Sequence, residues 1–262
     1  MKENNGGRMR LKILLIILGV VIIAFGIVFY YYGPYSEAAR GGVKGKPQST
    51  PTPTLSPTSS PISSPTTGSS PASATTLFSD DFSGLLSQWQ VVYETATVQS
   101  GELDLIPQLQ TYLSPTDTHA PLIVAGDAAW RDYVYSVKMK TVRQLRPSNP
   151  NPWEVGWILF RYTDTAHFYY FILKTNGIEL GKEDPSGTGG QIFLYTAETP
   201  RLTIGQYFDI KVTLRGGNIK VSVNGTQVVD YTDTNNPYLS GKIGLYNEDA
   251  ETFNDNVVVT AN

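Results

Sequence analysis

The sequence contains no cysteine and only two histidines, His119 and His167. Without cysteine the chain cannot form a disulfide framework, a thiolate metal site or a cysteine nucleophile. His119 falls in a predicted loop and His167 opens a predicted strand after a turn, and both positions are more typical of surface histidines than of a catalytic base. If the protein lies outside the cell, its folded domain must be stabilised by the hydrophobic core, alone or together with a bound ion.

Several motifs are also missing, and the C-terminal part of the chain has fewer basic than acidic groups. The sequence has no Gly-rich phosphate loop, no G-x-S-x-G elbow and no H-E-x-x-H helix. Residues 77–262 carry 13 basic and 21 acidic groups, a net charge of −8, whereas residues 1–76 carry 7 and 2, a net charge of +5. Because nucleic-acid affinity comes largely from Lys and Arg on phosphates, the acidic C-terminal part excludes nucleic acid as a partner.

The one long apolar run lies near the N-terminus, where every residue from 13 to 29 is apolar or Gly. At about 1.5 Å per residue, a helix over residues 11–32 just crosses a hydrocarbon core of about 30 Å. The alternative is a cleaved signal peptide, but this run exceeds the usual signal core of roughly 7–15 residues. We therefore predict a transmembrane signal-anchor helix over residues 11–32.

Basic residues cluster more tightly before this span than after it. The positive-inside rule then places residues 1–10 in the cytoplasm and the C-terminal domain outside the cell. We predict a single-pass protein of the cell membrane with an extracellular C-terminal domain.

Residues 33–76 have the composition of a disordered stalk. From Pro47 to Thr76 there are 7 Pro, 9 Ser and 8 Thr in 30 residues, and none of these 30 is charged. Such a segment buries too little apolar surface to offset its ordering entropy, so we expect it to remain extended. Its hydroxyls are acceptors for O-linked sugars.

Residues 77–262 form the predicted globular domain, and its pattern is that of β-strands. Short apolar or alternating runs are separated by turn signals, including Asn176-Gly177 and Asn224-Gly225, which favour type I′ hairpins. No helix is predicted after residue 32. Strands are predicted at 78–82, 89–94, 101–106, 120–125, 133–142, 155–162, 168–174, from Gly177 onward, 191–197, 207–214, 218–223, 226–231, 242–246 and 256–260. This pattern predicts an all-β, antiparallel two-sheet sandwich.

The order of several phrases resembles a known superfamily. These phrases are FSDDFSG, GELDL, WRDYVYSVKMKT, GWILFRYTD, HFYYFIL, NGIELGK, IGQYFDIKVTLRGGNIKVSVNG, SGKIGLY and DNVVVT. They resemble concanavalin A-like lectin and glucanase jelly rolls, nearest to family 66 carbohydrate-binding modules and 3-keto-disaccharide hydrolase domains. The resemblance implies two curved sheets, sugar bound on the concave face or at its rim, and often a structural calcium ion near the joined chain ends. The glucanase E-x-D-x-x-E strand is absent, since Glu248-Asp249-x-Glu251 lacks its spacing.

Aromatic and polar side chains are denser around the central strands than a two-layer core requires. Sugars present C–H faces and hydroxyl edges, so a binding site needs aromatic rings beside hydrogen-bonding groups. Alternation places Trp157 and Arg161 on one face of a strand. The alternative is that Trp157 and Tyr170 are packed core and that Arg161 makes a structural ion pair. The candidate carbohydrate-binding residues are Trp157, Arg161, Tyr170, Lys174, Tyr246, Asn247 and Glu248.

Asp81 and Asp255 are the candidate metal ligands. In the superfamily that the chain resembles, the first and last strands pair and bring an equivalent of Asp81 near the Asp of the terminal DNV, here Asp255. Ca²⁺ takes carboxylate and carbonyl oxygens, so these residues suit a structural calcium ion. The alternative is that Asp80 and Asp81 only cap a turn and that Asp255 bonds local backbone N–H groups.

Together these observations predict a membrane-tethered, lectin-like domain that binds a glycan or polysaccharide without cleaving it. One alternative is a glycoside or 3-keto-disaccharide hydrolase that uses acids such as Glu154, Glu248 or Asp249. Another is a structural adhesin of the cell surface that binds protein through a flat apolar patch.

Overall fold

The computed structural model describes residues 74–108, 111 and 117–262. The predicted cytoplasmic segment 1–10, the membrane span 11–32 and most of the stalk 33–76 lie outside these residues. Within the described ranges, no helix is long and apolar enough to cross a membrane. The membrane anchor therefore stays a prediction.

Strands make up nearly all the regular structure of the described residues. A 3₁₀ turn over Thr188–Gly190 is the one helical element among them. The strands are β1 (Thr76–Asp80), β2 (Trp89–Tyr93), β3 (Thr97–Gln99), β4 (Glu102–Leu105), β5 (Leu122–Ala125), β6 (Tyr133–Gln144), β7 (Gly156–Asp164), β8 (His167–Lys174), β9 (Gly177–Glu183), β10 (Gln191–Ala197), β11 (Tyr207–Arg215), β12 (Asn218–Val223), β13 (Thr226–Thr232), β14 (Lys242–Asn247) and β15 (Ala250–Ala261).

The strands form two antiparallel sheets. The eight-stranded sheet has the order β13-β12-β11-β6-β15-β4-β3, and β1 pairs with β15. The seven-stranded sheet has the order β10-β9-β8-β7-β14-β5-β2. One hydrophobic core lies between the sheets. The prediction of an all-β antiparallel sandwich is confirmed.

Alternation along β6 shows how the sequence builds this core. Tyr133, Tyr135, Val137 and Met139 are buried, while the residues between them are partly exposed. Successive strand side chains point to opposite faces, so this strand covers the core with one face only. Burying each large apolar side chain contributes roughly 1.5–3 kcal/mol.

The central strands of the seven-stranded sheet are instead buried on both faces. A Cβ on Gly156 would lie 2.5 Å from the Met139 sulfur and 3.2 Å from Thr252 Cγ2, so Gly156 faces the other sheet. Trp157 therefore points the opposite way. We call the side that faces away from the eight-stranded sheet the outer face of the seven-stranded sheet.

The two Asn-Gly turns differ. Asn224 and Gly225 have φ values of 49° and 79°, so the predicted type I′ hairpin is confirmed there. At Asn176-Gly177 the hairpin exists, but Lys174 pairs with Gly177, so the connecting residues are Thr175 and Asn176. The type I′ prediction is wrong at this turn. Gly is required at 177 because a Cβ would lie 2.0 Å from the Ala197 carbonyl oxygen.

Candidate functional site

Three aromatic rings pack together on the outer face of the seven-stranded sheet. Trp157 on β7 lies 4.9 Å from the Tyr170 ring on β8 and 5.2 Å from the Tyr246 ring on β14, measured between centroids. Trp157 is paired with Tyr246 across the sheet, and its indole N–H donates to the Trp153 carbonyl at 2.9 Å. These contacts fix one aromatic cluster, which we call the aromatic floor.

The rings differ in accessibility. Trp157 is 5% exposed and Tyr170 is 0% exposed, whereas Tyr246 is only partly buried. The expectation of open stacking platforms at Trp157 and Tyr170 therefore fails, although both point away from the other sheet. Tyr246 is the ring of this cluster that a ligand can reach.

Lys174 and Glu179 flank the floor. The Lys174 ammonium contacts Glu179 Oε2 at 2.6 Å, and the Tyr170 hydroxyl donates to Glu179 Oε1 at 3.2 Å. Gly181 makes this arrangement possible, since a Cβ there would lie 2.1 Å from the Tyr170 hydroxyl oxygen. The side chain of Tyr170 therefore crosses β9 where the strand has no side chain.

Glu248 lies at the end of β14, where the Tyr246 hydroxyl donates to its Oε1 at 2.9 Å. Burial raises the pKa of Glu248 to about 8. The hydrogen bond from Tyr246 opposes this shift, whereas the negative charges of Asp249, Glu183 and Glu154 add to it. A carboxyl group with such a pKa is largely protonated at neutral pH and can then donate a hydrogen bond.

Glu183 is a second carboxyl group on the same face, two residues beyond Gly181 on β9. Burial raises the pKa of Glu183 to about 7, and its charge raises the pKa of both Glu248 and Tyr246. The sequence interpretation missed Glu179 and Glu183. The signal was available, because Glu179, Gly181 and Glu183 alternate with the inward-facing Leu180 and Lys182.

A buried ion network supports the turn that carries Glu248. Arg146 Nε contacts Glu154 Oε1 at 2.6 Å, and its Nη2 contacts Asp249 Oδ2 at 2.7 Å. The His119 backbone N–H donates to Asp249 Oδ1 at 2.9 Å. The side chains of Glu154 and Asp249 are each 1% exposed. These two carboxylates hold the turn and are not open to a substrate.

Arg161 lies away from the floor. It is 0% exposed and has a φ of 50°, and β7 shifts register between Phe160 and Asp164. Its guanidinium donates to the Tyr238 carbonyl at 2.7 Å and the Arg131 carbonyl at 3.2 Å, and lies 3.6 Å from Asp132. The prediction that Trp157 and Arg161 share a face is wrong, because the bulge turns Arg161 aside. The structure shows the ion pair of the alternative interpretation.

Asn247 also lies away from the outer surface. It is 0% exposed, and its amide donates to the Leu105 carbonyl at 2.8 Å and to Thr252 Oγ1 at 3.2 Å. These contacts bridge to the other sheet. Of the seven candidate residues, Trp157, Tyr170, Lys174, Tyr246 and Glu248 gather at the floor.

The predicted calcium ligands lie near the paired strands β1 and β15. Asp81 Oδ1 accepts from the Ser83 backbone N–H at 3.1 Å and hydroxyl at 2.7 Å. Asp255 accepts from the Asn256 amide at 2.8 Å. Within the described ranges, no three His, Asp or Glu residues converge on a metal position. These side chains do not form a calcium site by themselves, so calcium stays a prediction that would require backbone carbonyl or water ligands.

Two depressions lie elsewhere on the molecule. One of about 340 Å³ lies on the outer side of the eight-stranded sheet, beside Lys138, Asp209 and Lys211. Another of about 370 Å³ lies beside Asp80, Asp81 and Asn256. Neither is lined by an aromatic ring.

Comparison with known proteins agrees with this fold. The chain is 27% identical over 163 residues to an extracellular exo-alpha-L-arabinofuranosidase of Streptomyces chartreusis, a match that covers 62% of this chain and only 18% of that protein. Among solved structures, carbohydrate-binding module CBM66 of Bacillus subtilis superposes with a TM-score of 0.51 at 17% identity, over 66% of this chain and 96% of the module. A Bacillus licheniformis beta-glucanase superposes with a TM-score of 0.50 at 16% identity, over 72% and 98%.

These likenesses confirm the two-sheet jelly-roll fold. A family model, the 3-keto-alpha-glucoside-1,2-lyase-like domain, matches residues 73–260. The chain therefore belongs to the family of 3-keto-alpha-glucoside-1,2-lyase-like domains.

Proposed function

We propose that this domain binds a glycan without cleaving it, on the outer face of the seven-stranded sheet. The observation that supports this is the arrangement of Tyr246, Lys174, Glu183 and Glu248, all partly accessible, beside the buried rings of the aromatic floor on the face that points away from the eight-stranded sheet. An aromatic ring beside hydrogen-bond donors and acceptors matches the C–H faces and hydroxyl edges of a sugar.

Each accessible group has a distinct role in this proposal. Tyr246 offers its ring, and its hydroxyl holds the Glu248 carboxyl at 2.9 Å. Glu248 and Glu183 exchange hydrogen bonds with sugar hydroxyls, as donors when protonated and as acceptors when ionised. Lys174 and Glu179, 2.6 Å apart, fix the far side of the floor. The depressions beside Lys138 and Asp81 fit a sugar less well because no ring lines them.

A glycan array followed by affinity electrophoresis tests the proposal. We expect the wild-type chain to be retained by at least one glycan. Glu248→Gln and Tyr246→Phe should weaken retention up to about tenfold, which corresponds to the loss of roughly one hydrogen bond. Asp209→Asn, at an exposed carboxyl on β11 of the eight-stranded sheet, is the matched control. No retention of the wild type on any glycan, or equal retention of all four proteins, contradicts the proposal.

A second candidate function is cleavage of a glycoside or a 3-keto-glycoside, and one observation favours it. Glu183 and Glu248 have raised pKa values of about 7 and about 8, and the charge of Glu183 raises the pKa of Glu248. Carboxyl groups near neutral pKa suit general acid and base roles, and such shifts are concentrated at active sites. Incubation with a panel of arabinosides, glucosides and 3-keto-glucosides would then release product, and Glu248→Gln or Glu183→Gln would abolish release.

We further propose that residues 11–32 tether the domain to the cell membrane with its glycan site outside the cell. The apolar run and the Ser/Thr/Pro-rich segment after it support this arrangement. Protease treatment of intact cells tests it, since the domain should be released while residues 1–32 stay with the membrane fraction. A protein found entirely in the soluble fraction would contradict the tether.

A further inference from the structure

The charges around the aromatic floor restrict which glycans it can accept. Lys174 is a cation that flanks the floor, and Glu179 already neutralises it at 2.6 Å. The side chains of this pair are 13% and 10% exposed, so neither charge is free to turn toward a ligand. The floor therefore has no uncompensated positive charge from Lys174.

Two guanidinium groups are also sequestered, that of Arg161 on β7 and that of Arg146 beside the turn that carries Glu248. Arg161 is 0% exposed and donates to two backbone carbonyls away from the floor. Arg146 is held between Glu154 and Asp249, and its side chain is 10% exposed. Lys242 is six residues before Glu248, about 20 Å along an extended strand, and contacts the Gln90 amide oxygen at 3.3 Å.

Negative charge on this face is not compensated in the same way. Among the described residues, neither Glu183 nor Glu248 has a Lys, Arg or His nitrogen within ion-pair distance. Burial raises the pKa of both carboxyl groups, and for Glu248 the neighbouring carboxylates raise it further. A second anion placed between them would lose hydration and meet repulsion with no cation to offset it.

We infer that the floor, once its two carboxyl groups are ionised, accepts uncharged glycans and rejects glycans that carry uronate or sulfate groups. This inference rests on the proposed glycan-binding function and names its ligand class. Glu183 and Glu248 are the residues that set the discrimination, because in their ionised form they are accessible carboxylates beside Tyr246 that have no cation within ion-pair distance among the described residues.

Matched polysaccharide pairs test the inference with the full-length chain. One pair is polygalacturonate and its carboxyl-reduced product, and another is a neutral glucan and its C6-oxidised product, so linkage stays constant while charge changes. Affinity electrophoresis at pH 8.5 and physiological salt should show the uncharged member of a retained pair binding at least about tenfold more tightly.

The Glu183→Gln/Glu248→Gln double variant should reduce that ratio at least about fivefold, because it removes both charges while keeping polar side chains. An Asp209→Asn/Asp230→Asn double variant makes the same change in net charge at exposed carboxyls of the eight-stranded sheet and should leave the ratio unchanged. Tighter or equal binding of the charged member, or an equal effect of both double variants, would overturn the inference while leaving glycan binding intact. Retention of no member of any pair would overturn the proposed function itself.

Discussion

The pKa of Glu248 reflects the burial and the charges of the candidate site around it. Its pKa is about 8 in the folded state, against an ordinary value of 4.5, so the folded state binds a proton more tightly than the unfolded chain. The stability that this proton contributes is complete below about pH 4.5 and is lost as pH rises to about 8. The groups that face Glu248 are Tyr246, Asp249, Glu183 and Glu154.

Glu248→Gln should therefore be more stable than the wild type at pH 9 and close to it at pH 4.5. Gln remains uncharged, so it avoids the cost of a buried carboxylate, a gain on the order of 2 kcal/mol once solvent screening is allowed for. Urea unfolding of both proteins at the two pH values measures this difference. Glu198→Gln controls for net charge, and an equal gain in both variants at pH 9 would argue against a raised Glu248 pKa.

At the residue scale, strand alternation predicted correctly the side of the sheet to which Trp157 points, but it predicted the side of Arg161 incorrectly. Trp157 points to the outer face, as a regular strand requires. At Arg161 the backbone adopts a positive φ, and a Cβ on Gly241 would lie 2.7 Å from the Arg161 Cα. A bulge that depends on contact with a residue 80 positions away leaves no local signal in the sequence, so the side of Arg161 could not be predicted.

At the scale of elements, the turn between β14 and β15 depends on Arg146. This side chain spans Glu154 and Asp249, whose carboxylates are almost fully buried. Removing one partner of a buried ion pair leaves an uncompensated charge, which typically costs 3–5 kcal/mol. We expect Arg146→Met to lower the free energy of unfolding by about that amount and to weaken glycan binding through Glu248.

Arg143 provides the matched comparison, since it pairs with Glu251 but its side chain is 57% exposed. Exposed ion pairs contribute about 0–1 kcal/mol, so Arg143→Met should change the unfolding free energy by no more than that. Urea unfolding at neutral pH measures both variants. Similar losses in the two proteins would show that the network around Asp249 is not a structural clamp.

The crossing of Tyr170 over β9 leads to a further prediction for an element. Gly181→Ala would place a Cβ 2.1 Å from the Tyr170 hydroxyl oxygen and displace it from Glu179. Overpacking of this kind costs about 1–3 kcal/mol, and loss of the hydrogen bond should also reduce glycan affinity. Gly84→Ala is the control, because nothing lies within 4 Å of a Cβ there. Thermal unfolding and affinity electrophoresis measure these two effects. A Gly181→Ala protein with the stability and glycan affinity of the wild type would contradict the prediction.

At the scale of the whole molecule, the sandwich was the most predictable feature, because it follows from alternation repeated in many strands. The predicted strands that the structure describes are present with small shifts in their ends, except that β15 begins at Ala250 rather than 256 and β3 was missed. Asn256, with a φ of 51°, interrupts the alternation of apolar and polar residues along β15. The sequence pattern therefore did not predict the part of β15 before this residue. Glu179 and Glu183 were harder to recognise as site residues from the sequence. Glu179 belongs to the site because it accepts from Tyr170 on β8, and Glu183 because its charge acts on Glu248 in the turn after β14.

The pairing of β1 with the end of β15 leads to a prediction about the limits of the domain. Phe78 is 8% exposed, and its ring lies 5.5 Å from Trp89 and 6.5 Å from Trp130. A fragment of residues 74–262 keeps every strand of both sheets, so we expect it to unfold at the urea midpoint of the domain in the full chain. A fragment of residues 82–262 loses the Phe78 ring and leaves an edge of β15 unpaired. The free energy of unfolding of this shorter fragment should be lower than that of the 74–262 fragment by at least the 3–5 kcal/mol typical of deleting a buried Phe ring.

Phe78→Ala in the 74–262 fragment separates the two contributions of β1. This variant keeps the backbone pairing with Val257 and Val259 and removes only the ring, so its stability should fall between those of the two fragments. Equal stability of the 74–262 and 82–262 fragments would mean that β1 is dispensable, and failure of the 74–262 fragment to fold would mean that the domain needs residues before 74. Glycan binding by the 74–262 fragment should match that of the full chain, because all the residues around the aromatic floor lie between Trp153 and Glu248.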